Sequence, residues 1–136
     1  MLADINAFRS QHHLARLRLS RPLTVAARAH TRQMAQDGYF AHESANGGAF
    51  WKRLQSVYAS SPWHYWSVGE NLLWSSPRVA PAQALQQWLA SPEHRHNLMN
   101  PAWREIGVAA VHADHAPGVY NGLDVTIDTT DFGVRH

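Results

Sequence analysis

Hydrophobic residues recur at three- and four-residue steps in the first quarter of the chain, and this period is typical of amphipathic helices. A first helix is predicted from Ile5, Phe8, His12 and Ala15. A second begins after Arg21-Pro22, because proline is favoured in a first turn, and ends at Asp37-Gly38. The residues from 41 to 48 then form a predicted loop that ends in a glycine-rich turn.

Three further helices are predicted in the middle of the chain. Residues 49–57 form a short one, and an aromatic loop around Pro62 follows it. Residues 81–90 form another, with its apolar side chains on one side. Ser91 suits the N-cap of the last, which runs through Met99, because serine is a good capping residue and the next residue is a proline.

Strands are predicted at residues 67–75, 105–112 and 120–132. Helices therefore dominate the first part of the chain and strands the last part, an order that indicates the α+β class. With 136 residues and 45% hydrophobic content, the chain is expected to form a single domain over residues 1–136. No internal repeat or low-complexity tract divides it.

The amino-acid composition excludes some classes of protein. Cysteine is absent, so no disulfide framework supports the fold. The longest apolar runs are too short to cross a bilayer, so no membrane span is expected. The first residues lack the basic and then apolar pattern of a secretory signal, and we expect a soluble domain from which any signal has been removed.

The net charge is only +2, but it is unevenly distributed. No acid lies between Asp4 and Asp37, a stretch that holds Arg9, Arg16, Arg18, Arg21, Arg28 and Arg32. Such an arginine side could attract an anionic partner, such as nucleic acid or an acidic lipid surface. The alternative is a solvated helix face, which we favour because no aromatic residues alternate with the arginines, and nucleic acid is therefore not the expected partner.

Short motifs along the chain indicate its fold more specifically than composition and charge do. They are Phe40-Ala41-His42, Gly69-Glu70-Asn71, the run from Ser91 to Leu98, Trp88 before it, and Asp131-Phe132-Gly133 near the end. Together these motifs resemble the signature of the CAP superfamily (cysteine-rich secretory proteins, antigen 5, pathogenesis-related 1), in its bacterial branch with an SCP domain. The resemblance covers nearly the whole chain. It implies a three-layer α-β-α sandwich around an antiparallel β-sheet.

The resemblance also implies a cleft lined by two histidines and two glutamates, and His42, Glu70 and His94 match three of these positions. At the fourth position, three residues after Trp88, this chain has Ser91. Sequence spacing alone does not bring these residues together, since they share no helix. Two imidazoles and a carboxylate match an open zinc site. With one carboxylate missing, we expect Zn²⁺ binding to be weak or facultative, with no other cofactor.

The neighbours of these residues have simpler predicted roles. Asn71 is expected to hydrogen-bond backbone beside the cleft and Ser91 to support the cleft as a helix cap. His94 would lie in the first helical turn, where the helix dipole disfavours a charged imidazole. His96 would point to the opposite side and lie at the surface. His30, on the apolar side of the second helix, is predicted to be a core histidine.

Two groups of residues outside the cleft have alternative interpretations. Trp63, Tyr65 and Trp66 fall in the predicted aromatic loop, where exposed rings could form a platform for an acyl chain or a sugar. Asp124, Asp128 and Asp131 lack the glycine and terminal glutamate of a calcium loop, so they are predicted to be solvent-facing charges.

Three functions remain open. The first is a binding module, secreted or periplasmic, for a lipid, glycan or protein partner, acting as a monomer. The second is a zinc-assisted hydrolase of peptidase or esterase type, in which Glu70 is a ligand or the catalytic base. The third is a cytoplasmic, arginine-faced protein that contacts nucleic acid. We favour them in that order, and therefore favour a protein that is not an enzyme.

Overall fold

A computed structural model describes all 136 residues as five helices, a four-stranded sheet and one short 3-10 turn. In chain order the elements are α1 (Leu2–Gln11), β1 (Arg18–Leu19), α2 (Arg21–Asp37), α3 (Phe50–Gln55), β2 (Trp66–Ser75), α4 (Pro81–Ala90), α5 (Pro92–Met99), β3 (Glu105–Ala113), the 3-10 turn (Gly118–Tyr120) and β4 (Val125–Arg135). None of the helices combines the length and the hydropathy that crossing a bilayer requires.

The predicted helices are all present, and the strands differ from the prediction at two places. The two-residue strand β1 was not predicted, because so short a segment has no measurable periodicity. The last strand begins at Val125 and not at residue 120, because residues 118–124 form a tight turn instead. Asn121 adopts φ +54° and Gly122 φ +75°, and these left-handed conformations reverse the chain and end any strand pairing.

The sheet has the order β1-β3-β4-β2. β4 is antiparallel to both of its neighbours, whereas β1 pairs in parallel with β3. The predicted α+β class with an antiparallel sheet is therefore confirmed, apart from the short parallel pair at one edge. β2 is the strand at the opposite edge.

Alternate residues of β4 face two different helical layers. Val125 and Ile127 pack with Met34 of α2 on one face. Phe132 and Val134 belong to a larger cluster on the other face, which includes residues of α1, α4 and α5. The sheet thus lies between two layers of helices, as expected for the α-β-α sandwich.

Two groups that were predicted to be solvated are buried. Arg9 is 0% exposed, and its guanidinium donates to the carbonyl oxygens of Ala15, Leu98 and Asn100, so it ties α1 to the end of α5. Asp128 is 4% and Asp131 0% exposed. The prediction of solvent-facing aspartates was therefore wrong for these two residues, because β4 is a central strand covered on both faces.

The buried Asp128 side chain should make the free energy of unfolding depend on pH. Burial raises its pKa from the ordinary 3.8 to about 6, and one of its carboxyl oxygens has no hydrogen-bond partner. The folded state therefore binds this proton more tightly than the unfolded chain, so the Asp128 contribution is most favourable below about pH 4 and is lost as the pH rises through about 6. We expect Asp128→Asn to raise the free energy of unfolding by about 1–3 kcal/mol near pH 8 and to change it little near pH 4.

Urea unfolding at the two pH values measures this difference. Asp37→Asn is the matched control, because Asp37 is exposed at the end of α2 and should show no comparable gain near neutral pH. An equal gain in the two variants, or a gain for Asp128→Asn that is independent of pH, would contradict the assignment.

Candidate functional site

The residues singled out by the sequence motifs meet at the edge strand β2. Successive side chains of a strand point to opposite faces, so Glu70 faces the layer of α2 and α3, whereas Asn71 faces α5. His42 approaches from the loop after α2, and His94 approaches on α5. One cleft of about 440 Å³ at this edge is lined by all four residues.

The Glu70 side chain is fully buried beneath His42, and both of its oxygens are bonded. His42 Nδ1 lies 2.8 Å from Glu70 Oε1. The guanidinium of Arg53, a residue of α3 with 13% of its side chain exposed, donates to Oε2. Glu70 is thus held between a histidine and an arginine, and no oxygen is free to face the cleft.

Asp131 lies directly opposite Glu70 in the pairing of β2 with β4. It is 0% exposed, and neither of its carboxyl oxygens has a hydrogen-bond partner. Burial and the adjacent Glu70 carboxylate raise the pKa of Asp131 well above its ordinary range. Both effects favour the protonated acid at Asp131, which lies beside the ion pair of Glu70 and Arg53.

The α5 side of the cleft is held by two asparagines. Asn71 donates to the His94 carbonyl over 3.0 Å, and Asn97 donates to Asn71 Oδ1 over 2.9 Å. Asn97 also donates to the backbone carbonyl of Glu70 over 3.1 Å. This network links α5 to the strand and fixes the turn that carries His94.

Ser91 begins α5 as its N-cap, but its hydroxyl makes no hydrogen bond to the amides of the first turn. The predicted capping bond is therefore absent, although Ser91 has the extended backbone of an N-cap and is also the last residue that caps α4. Ser91 does not line the cleft, so its predicted support of the cleft is limited to the position where α5 starts.

The pKa values of the two cleft histidines are shifted in opposite directions. The hydrogen bond that His42 donates to Glu70 raises the pKa of His42, whereas burial lowers the pKa of His94. The direction for His94 agrees with the sequence prediction, although burial is its main cause. The cleft therefore holds one imidazole that binds its proton more tightly than usual and one that binds it less tightly.

The donor atoms do not assemble a complete metal centre. No group of three histidine, aspartate or glutamate side chains is close enough to hold an ion. Glu70 is bonded to His42 and Arg53, so its carboxylate orients a histidine, as a carboxylate does behind many metal-bound imidazoles. The residues thus offer two imidazoles, and the set does not fit a dedicated zinc site with three protein ligands.

His30 and His96 lie where the sequence predicts. His30 is 1% exposed, and its Nε2 lies 2.9 Å from the Ala41 carbonyl oxygen, so it is a core histidine that ties α2 to the loop before His42. His96 is exposed on the outer side of α5.

The predicted aromatic platform is only partly formed. Trp63 and Tyr65 are 45% and 46% exposed, but Trp66 is half-buried and donates its ring N–H to the Tyr58 carbonyl over 2.8 Å. The prediction that Trp66 belongs to the platform is therefore wrong. Trp66 is the first residue of β2, and it packs against the core. The guanidinium of Arg135 lies over the Trp63 ring, and none of these aromatic residues lines the cleft.

Sequence reasoning missed three residues of the site. Asn97 could have been found, because it follows His94 by three positions and so shares a face of α5. Asp131 belongs to a recognised motif, but its place beside Glu70 depends on the strand register, which the sequence does not give. No sequence signal indicates Arg53.

The sequence of the chain matches a known family over most of its length. The model of the family described as "CAP: Cysteine-rich secretory protein family" covers residues 2–121. The chain belongs to the CAP family. YkwD, an uncharacterized protein of Bacillus subtilis, is 31% identical to this CAP chain over 108 residues, or 79% of the chain. The membrane protein YlbC of the same organism, also uncharacterized, is 30% identical over 103 residues, or 76% of the chain.

Two solved structures illustrate the shared fold. An outer surface protein of Borrelia burgdorferi superposes with a TM-score of 0.76 at 18% identity, covering 99% of this chain and 90% of its own. An extracellular protein with an SCP domain from Bacillus anthracis gives 0.70 at 30% identity, covering 94% of this chain and 37% of its own. The chain spans only 40% of YkwD and 28% of YlbC, so the matched region is one part of each of those longer proteins.

Proposed function

We propose that this CAP domain is a non-catalytic binding module that holds a partner in the cleft of His42 and His94. The proposal rests on one observation: both oxygens of Glu70, the base in the hydrolase alternative, are bonded to His42 and Arg53. A general base must reach the proton that it removes. Glu70 instead holds the cleft wall in place, and His42 and His94 remain as groups that can contact a ligand.

The lining of the cleft favours a hydrophilic partner. Glu43, Glu93 and Asn97 contribute polar groups, and Phe50 contributes an aromatic ring close to His42. Hydrogen-bonding groups beside one aromatic ring suit a glycan or a segment of protein better than an acyl chain. Of the three partner classes, we therefore propose a glycan or a protein for this cleft.

We propose that the domain acts outside the cytoplasm, either secreted or periplasmic. The Bacillus anthracis relative supports this proposal, because it is 30% identical to this chain and is described as an extracellular protein. The absence of cysteine is compatible with either compartment.

Hydrolysis and binding assays together test the proposal. We expect no turnover of p-nitrophenyl acetate or labelled casein above the level of the His42→Ala variant, with or without added zinc. On glycan and peptide arrays, we expect at least one probe that binds the wild type and is lost in His94→Ala. His96→Ala is the matched control, because His96 lies on the same helix but outside the cleft.

Turnover that disappears in His42→Ala, in protein with an unchanged melting transition, would favour the hydrolase instead. Equal array binding by wild type and His94→Ala would remove the cleft as the binding site.

Zinc binding is a separate prediction. We expect wild-type protein to bind zinc with modest affinity, since His42 Nε2 and His94 can supply only two ligands and water must complete the shell. Binding should be lost in mildly acid solution, because ligand imidazoles must be neutral and the hydrogen bond to Glu70 raises the pKa of His42.

Calorimetric titration of untagged protein measures this affinity. His42→Ala and His94→Ala should each abolish the heat of binding, whereas His96→Ala should retain it. If His42→Ala binds zinc as wild type does at neutral pH, then the ion binds elsewhere and the assignment is wrong.

A further inference from the structure

The outer face of α2 carries arginines with no acidic partner. Arg21, Arg28 and Arg32 are exposed, and none lies within ion-pair distance of a carboxylate. They are spaced by seven and four residues, so they align along one side of the helix. The opposite side of α2 packs on the sheet.

This arrangement is unfavourable for the helix itself. Arg21 is the first residue of α2, where the helix dipole repels a positive charge. Arg28 and Arg32 are four positions apart, where like charges also repel. No ion pair within the protein offsets either effect, so an external anion would relieve this repulsion.

An apolar groove of about 580 Å³ runs between these arginines and β1. Its apolar residues are Leu19, Val25 and Ala29. Leu19 is 58% and Val25 54% exposed, which is high for aliphatic side chains that lie beside each other. The groove thus combines three cations with exposed aliphatic surface, and no acidic or aromatic residue lines it.

We propose that this arginine groove docks the protein on the surface of an anionic phospholipid bilayer. Guanidinium groups pair with phosphate in a planar, two-bond geometry, so Arg21, Arg28 and Arg32 hold the lipid headgroups. Leu19 and Val25 then cover the apolar region just beneath the headgroups. A membrane supplies both kinds of surface at once, which a soluble anion does not.

The lining argues against nucleic acid as the occupant. Proteins that bind single strands stack the bases on aromatic side chains, and this groove has none.

Docking at the arginine groove also leaves the histidine cleft accessible. The groove lies beside β1 and the histidine cleft lies on β2, and these strands form opposite edges of the sheet.

Vesicle co-sedimentation tests the proposal. The probes are vesicles of equal parts phosphatidylglycerol and phosphatidylcholine, and vesicles of phosphatidylcholine alone. We expect binding to the anionic vesicles only, weakened by added salt. The double variant Arg28→Gln/Arg32→Gln should weaken it by roughly 25-fold, since each arginine near an anionic surface contributes roughly fivefold. Val25→Ser should weaken it several-fold without any change in charge.

The matched control is Arg78→Gln/Arg95→Gln, which removes two exposed arginines outside the groove and should retain binding. Equal losses in the two double variants would show that only net charge matters and would overturn the proposal. So would the absence of vesicle binding, or tighter binding to a labelled single-stranded oligonucleotide than to the anionic vesicles. His42→Ala should bind vesicles as wild type does, which separates this result from the role of the cleft.

Discussion

Glu70→Gln is expected to lower the free energy of unfolding by about 3 kcal/mol at neutral pH, because removing one partner of a buried ion pair leaves the other charge without compensation. Arg53 is the charge left behind, with only 13% of its side chain exposed, and it has no other acidic partner. His42 loses its hydrogen bond to Oε1 at the same time. Glutamine keeps the shape of the side chain, so the loss is electrostatic.

Urea unfolding followed by tryptophan fluorescence measures this loss. Glu93→Gln is the matched control: it makes the same substitution at an exposed position of the same cleft and should stay within about 0.5 kcal/mol of wild type. The buried acid of Asp131 provides a second check. It can release its proton and partly replace the missing charge, so Glu70→Gln/Asp131→Asn should be less stable than Glu70→Gln.

A Glu70→Gln protein of wild-type stability would contradict the structural role of this carboxylate. If that protein had also lost a hydrolytic activity, Glu70 would be a catalytic base, and the binding module would be the wrong proposal. Stability and turnover therefore distinguish the two functions by one substitution.

The fold was largely predictable because its longer elements have strong local signals. α2 begins with a proline at its first turn and ends at Gly38, whose φ of +71° no other residue type adopts as easily. The errors fall where the signal is nonlocal or too short. β1 has two residues and exists because Ser20 and Arg18 bond to the chain around β3.

The site was predictable in part, for a related reason. His42, Glu70 and His94 lie in motifs that resemble those of the CAP superfamily, and the fold brings them to one cleft. Their roles depend on partners from other elements. Arg53 of α3 bonds to Glu70 beneath the cleft, and only the packing of α3 against the edge strand shows this contact.

The placement of the cleft also explains how the site couples the two helical layers. His42 belongs to the α2 side and His94 to the α5 side, and only the edge strand β2 separates them. His30 fixes the His42 loop to α2 through Ala41. The distance between the two histidines therefore depends on how closely α2 packs on the sheet.

That packing distance is set by Gly107, and Gly107→Ala is expected to lower the free energy of unfolding by about 3 kcal/mol or more. A Cβ at this position of β3 would overlap the backbone carbonyl of Leu23 and the amide nitrogen of Thr24, in the first turn of α2. Backbone atoms cannot rotate away as a side-chain end can. The helix must therefore move from the sheet and expose part of the core.

Gly47→Ala is the control for this substitution, measured by the same urea unfolding. Gly47 has φ +79° but no atom within reach of a new Cβ, so alanine there should cost only the backbone strain, about 1 kcal/mol. Because His30 connects α2 to the His42 loop, Gly107→Ala should also weaken zinc binding in the cleft, and Gly47→Ala should do so less. A Gly107→Ala protein as stable as wild type would mean that α2 does not pack on β3 as closely as the structure has it.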